Sequence, residues 1–155
     1  MSASAPTVRL EFSSTFEMLD FVQTISDHLG QRVGLDDDAV HWVGVAVRES
    51  VINAIKHGNR GDADKRVFVE FDARTAADVP ELSVLVGDQG HGFDPDQLSD
   101  PLAPENLLKA SGRGIFLIRN FMDDLQIERI AGGGMSIRLT KRVQAPADAD
   151  GTAGS

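Results

Sequence analysis

Apolar residues recur in this chain at two spacings, and the switches between them mark out its elements. Over residues 7–12, Val8, Leu10 and Phe12 alternate with polar neighbours, the period of a half-buried strand. Phe16, Leu19, Val22, Ile25 and Leu29 then follow at steps of three or four, which predicts a helix capped by Ser13 or Ser14 and ended by Gly30. Asp36, Asp37 and Asp38 open a second helix, where carboxylates meet the positive end of the macrodipole. This helix should run to about Lys56 and stop at Gly58-Asn59. Its core stripe is Val40, Val43, Val47, Val51 and Ala54. Glu49 and Asn53 share the opposite side one turn apart, framed by Val45, Ala46 and Ile52, as at the floor of a cleft.

Val67 to Phe71 and Leu82 to Val86 read as strands, the second leading directly into Asp88. Residues 94–111 carry Pro95, Pro101 and Pro104 without sustained periodicity and predict a loop with short helical turns. Gly114 to Met122 is an apolar helix, and Leu125 to Ile130 with Met135 to Leu139 form a hairpin around Gly132, Gly133 and Gly134. The order β-α-α-β-β-α-β-β predicts an α+β fold, a two-layer sandwich of one mixed, mostly antiparallel sheet with helices on a single face. Residues 7–141 make up this domain. Residues 1–6 and 142–155 are too poor in apolar side chains to offset their ordering entropy and are expected to be disordered.

Composition narrows the setting. A chain of 155 residues is long enough for one continuous core. With no cysteine there are no disulfides or thiolate metal sites. Neither a basic-then-apolar leader nor an apolar run of bilayer length is visible, so the expected setting is the cytoplasm, away from the membrane. A net charge of −9 argues against sequence-independent nucleic-acid binding, which depends on cations that neutralise phosphates. The expected partners are proteins or small molecules.

Three segments carry candidate chemistry. Glu49 and Asn53 pair a group able to take a proton with an amide oxygen able to ligate magnesium, the requirements of phosphoryl transfer. Asp88 precedes the turn Gln89-Gly90-His91-Gly92-Phe93, and its carboxylate can accept a hydrogen bond from the amino group of adenine, which the carbonyl oxygen of guanine cannot supply. Gly112-Arg113-Gly114 opens a helix whose free N–H groups form an anion site, with Arg113 available to a terminal phosphate. Each segment alone also has an ordinary explanation: a solvated helix face, a tight loop after a strand, a flexible hinge.

In order, the three segments resemble the gyrase, histidine-kinase and MutL-type ATPase superfamily with its Bergerat fold. The likeness is greatest to the stand-alone anti-sigma factor serine/threonine kinases of the RsbW and SpoIIAB type, and it spans Thr7 to about Lys141. Glu49-Ser50-Val51-Ile52-Asn53-Ala54-Ile55-Lys56-His57-Gly58 matches that family's N box. Asp88-Gln89-Gly90-His91-Gly92-Phe93-Asp94-Pro95 looks like its first glycine box, and Ser111-Gly112-Arg113-Gly114-Ile115-Phe116-Leu117-Ile118 like its second.

The resemblance implies ATP and Mg2+ as cofactors, Glu49 as catalytic base and Asn53 as magnesium ligand. It implies Asp88, with Gly90 and Gly92, as adenine reader, and Gly112, Arg113, Gly114 and Ile115 as phosphate cradle. Residues 94–111 would be a lid. The implied substrate is a serine or threonine on a STAS-domain anti-anti-sigma protein, with a sigma factor as the competing partner and a homodimer as the assembly. A nucleotide-responsive binding module of the RsbT type, with little catalysis, is the alternative that the same residues leave open.

Overall fold

The computed structural model describes residues 7–76, 78–90, 119–130 and 133–144. Strand β1 (Val8–Ser13) leads through a 3-10 turn (Phe16–Met18) into helix α1 (Leu19–Val33). Helix α2 (Asp37–Asn53) continues into a π turn (Ala54–Gly58). The strands β2 (Arg66–Arg74), β3 (Glu81–Asp88), β4 (Asp124–Arg129) and β5 (Met135–Arg142) complete the fold. They form one sheet in the order β1-β2-β3-β5-β4, and every pairing in it is antiparallel.

The two faces of the sheet differ as the alternation requires. Val67, Val69, Phe71, Leu82, Val84, Val86 and Leu139 are fully or almost fully buried and, with Val43, Val47 and Val51 of α2, form the core between the layers. At about 1.5–3 kcal/mol for each buried aliphatic side chain, this stripe sets how α2 lies on the sheet. The opposite face is polar. There Arg9 pairs with Glu70 and with Glu11, Arg66 pairs with Glu11 at 3.6 Å, and Arg9 covers the Phe68 ring at 5.0 Å. A face paired in this way has little apolar area left to bury, which fits a sandwich of two layers.

The start of α1 departs from its sequence signals. Neither Ser13 nor Ser14 caps it, because the chain first makes the 3-10 turn from Thr15, and α1 begins after Met18 without a side-chain cap. Phe16 consequently sits on that turn and is exposed.

The end of α1 departs too. Gly30 lies inside the helix, buried where a Cβ would come within 3.3 Å of the Val40 side chain. The helix ends instead at Gly34, whose φ of 99° is left-handed. Gly34 N–H donates to Gln31 at 3.1 Å and Leu35 N–H to Gly30 at 3.0 Å, the paired bonds of a Schellman cap.

Asp36 caps α2 as its acidic start suggests, accepting from Ala39 N–H at 2.8 Å. At the far end of the chain, β5 reaches Arg142, and Val143 N–H donates to Pro80 at 2.8 Å, inside the segment expected to be loose.

Of the helix expected over residues 114–122, residues 119–122 are described; 119–121 are helical, and the helix stops before Met122, one residue earlier than expected. Phe121 stacks on Trp42 of α2 with ring centroids 3.9 Å apart and planes 3° from parallel. Lys141 Nζ donates to Phe121 O at 2.9 Å, which ties this turn to β5. The expected lid lies outside the described residues.

Candidate nucleotide site

Glu49 and Asn53 occupy the last two turns of α2, and both are half-buried. Their polar ends therefore border the packed layer without being sealed in it, as the framing by Val45 and Ile52 predicts. Beyond Asn53 the helix widens. Asn59 N–H donates to Ala54 O at 2.7 Å, five residues back, and Gly61 N–H to Ile55 O at 2.7 Å. Such π turns cluster at functional positions, because an extra residue in the turn redirects the backbone beyond it. Here the redirected chain carries Gly58 against Asp88.

Asp88 ends β3 and is buried, with 5% of its surface exposed. Its Oδ1 accepts from Gly90 N–H at 2.9 Å and from Met135 N–H at 3.2 Å. Burial pushes the carboxyl above its ordinary value of 3.8, against the opposing pull of these two amides and the Lys65 charge. No donor among the described residues reaches Oδ2, which faces Gly58; a Cβ on Gly58 would overlap it.

Glycines pack the carboxylate on its other sides. A Cβ on Gly90 would overlap Gly58 O, and one on Gly134, itself at a φ of 95°, would overlap Asp88 O. The carboxylate is thus held in one orientation by amides at Oδ1, and among the described residues no hydrogen bond reaches Oδ2.

The residues present fit a magnesium nucleotide. Gly58, Gly90 and Gly134 let three backbone segments close around Asp88, because a Cβ at any of them would overlap Asp88 or Gly58. The described residues contain no group of three His, Asp or Glu side chains that would hold a cation by themselves. A metal beside Asn53 would draw its remaining ligands from phosphates and water, as magnesium commonly does.

Gly92, Gly112, Arg113, Gly114 and Ile115 lie outside the described residues. Among the rest, the π turn brings the end of the Glu49–Asn53 helix to the Asp88 turn. Three participants are not legible in the sequence pattern. The hairpin glycine Gly134 and the N–H of Met135 border Asp88 because β5 pairs with β3, a neighbour relation that local pattern does not encode. Asn59 has the sequence signature of a helix stop, although its side chain accepts from Gln89 N–H at 2.8 Å and donates to Arg66 O at 3.0 Å.

A single antiparallel sheet with helices on one face and a buried carboxylate ending its central strand is the arrangement of an ATP-binding domain. The model of the histidine kinase-like ATPase domain matches residues 12–141, and the chain belongs to that family. Within it, the chain is similar to the serine-protein kinases RsbW. It is 27% identical over 151 residues to the one from Bacillus velezensis, covering 91% of this chain and 88% of that protein. To the RsbW of Bacillus subtilis it is 24% identical over 147 residues, with the same coverage of 91% and 88%. The RsbW of Listeria innocua is 27% identical over 121 residues, 74% of this chain and 73% of that one. Among solved structures, the blue-light activated histidine kinase of Erythrobacter litoralis EL346 superposes with a TM-score of 0.52, covering 81% of this chain and 42% of that one; at 17% identity the likeness is one of fold.

Proposed function

We propose that this chain is an ATP-dependent protein serine/threonine kinase that acts as an anti-sigma regulatory factor and phosphorylates a STAS-domain anti-anti-sigma protein. The observation that carries the reading is the junction of the Glu49–Asn53 helix with the Asp88 turn, in a chain similar along most of its length to serine-protein kinases. The fully buried stripe beneath α2 supports a helix held rigidly enough to present two polar groups to a reaction.

In this reading Asp88 Oδ2 accepts from the amino group of adenine, and the site excludes bases with an oxygen there. The Asn53 side-chain oxygen would hold Mg2+. When bound, magnesium ATP would supply the phosphoryl group and a cation to offset the charge on the phosphates. Glu49 takes the proton of the incoming serine or threonine hydroxyl as its oxygen bonds to phosphorus and ADP leaves. Gly112, Arg113, Gly114 and Ile115 cradle the phosphates, and Gly92 with Gly90 contributes to nucleotide binding. A sigma factor is the competing partner and the assembly a homodimer in the cytoplasm. No helix of the described residues is long and apolar enough to cross a membrane.

The test is incubation with ATP, Mg2+ and a cognate STAS protein, followed by mass spectrometry of the partner. Phosphate on a serine or threonine, lost in Glu49→Gln while ATP still binds, supports the kinase. Nucleotide-dependent partner binding without phosphate transfer would instead favour the switch module.

A further inference from the structure

We infer that Asn59 is the positioning residue that sets the adenine-reading turn, an inference that rests on Asp88 being the acceptor for the adenine amino group. Asn59 follows the π turn directly, and only 1% of its surface is exposed. The pairing of β2 with β3 runs as far as Val67 opposite Asp88, so Arg66 and Gln89 come next along the two strands. Side chains stand in for the next ladder bonds. Asn59 Oδ1 accepts from Gln89 N–H at 2.8 Å, Asn59 Nδ2 donates to Arg66 O at 3.0 Å, and Gln89 Oε1 accepts from Arg66 N–H at 2.7 Å.

The Asn59 carboxamide is therefore a substitute peptide unit, wedged between two strands at the point where they part. It offers a donor and an acceptor in one plane, a pairing that neither a carboxylate nor an apolar side chain provides. The consequence lies one residue away. Gln89 N–H belongs to the peptide that leaves Asp88, so fixing it fixes the turn that brings Gly90 N–H to Asp88 Oδ1. Because Asn59 also closes the π turn through its bond to Ala54 O, one residue joins the end of the Asn53 helix to the adenine reader.

A residue that only stabilised the fold would weaken every nucleotide alike when lost. A residue that aims Asp88 should cost only the contribution of the adenine amino group. The experiment compares ATP with purine riboside triphosphate, which lacks that amino group, by calorimetry on the parent and on Asn59→Leu. The parent should prefer ATP; if it binds both equally, the adenine reading itself fails.

Given that preference, Asn59→Leu should lose about ten- to hundredfold in ATP affinity, the worth of a hydrogen bond to a charged acceptor, and stay within about twofold of the parent for the analogue. A variant that keeps the parent's preference, or loses affinity for both nucleotides equally, overturns the inference. Should Asn59→Leu not fold, amide exchange in the nucleotide-free parent decides. Slow exchange at Gln89 N–H supports the wedge, and exchange at the rate of an open loop refutes it.

Discussion

Replacing Asp88 by asparagine inverts the polarity of the atom that would face the base. Two backbone donors, Gly90 N–H at 2.9 Å and Met135 N–H at 3.2 Å, converge on the position of Oδ1. An asparagine there must turn its oxygen toward them, since the amide NH2 would meet two donors head on. Its NH2 then takes the place of Oδ2 and confronts the amino group of adenine with a second donor.

The lost bond is charge-assisted, worth about 1.5–3 kcal/mol, so ATP affinity should fall by about ten- to 150-fold. Inosine triphosphate carries an oxygen at the same position of the base. The carboxylate repels it and the new NH2 can donate to it, a gain of about 0.5–1.5 kcal/mol for a neutral bond. Together the two effects should shift the ATP-to-inosine-triphosphate preference by roughly thirtyfold or more. Calorimetric titration of both nucleotides into parent and variant, at matched magnesium and with folding checked by circular dichroism, measures the ratio. An unchanged ratio, or an equal loss for both nucleotides, would refute the assignment of Asp88 Oδ2 to the base.

Four further outcomes are expected. Burial raises the Asp88 carboxyl above 3.8, so the folded state holds its proton more tightly than the unfolded chain does. The cost of ionising it is complete above the folded value and absent below the unfolded one. Without nucleotide, Asp88→Asn should thus melt above the parent at neutral pH and lose that advantage on acidification toward the ordinary carboxylate range; equal melting temperatures at neutral pH would count against the cost. Glu49→Gln should cut phosphoryl transfer by about 10²–10⁴-fold with ATP affinity within about twofold, as read by single-turnover transfer beside calorimetry. Asn53→Ala should leave an ATP affinity that no longer responds to Mg2+, and a variant with the parent's magnesium dependence would displace Asn53 from the metal. Gly134→Ala puts a Cβ at a left-handed φ against Asp88 O, and should cost about 1–3 kcal/mol in denaturant unfolding together with ATP affinity.

The order of elements and the core of α2 were legible because both rest on local periodicity. Val40, Val43, Val47, Val51 and Ala54 are all buried, as their spacing requires, and the half-burial of Glu49 and Asn53 agrees with the apolar neighbours that frame them. Capping was less legible. Ser13 and Ser14 have the right chemistry for α1, but the 3-10 turn intervenes, and Gly30 and Gly34 are equivalent in sequence until packing under Val40 and Leu35 distinguishes them. The candidate site divided in the same way. The acid of Asp88 and the glycine beyond it could be read directly, whereas what holds the carboxylate could not. Met135 and Gly134 border it through strand pairing, and Asn59 holds the next residue, Gln89, from a widened helical turn; both relations are decided by the tertiary fold.

The parallel stack of Trp42 on Phe121 gives this chain a built-in optical probe. Trp42 is its sole tryptophan, so selectively excited indole emission comes from one ring lying against the turn that succeeds the second glycine pair in sequence. Any displacement of that turn as a ligand enters would uncover the ring on one side and alter its quenching and wavelength maximum, which allows the event to be timed in a stopped-flow instrument on unlabelled protein.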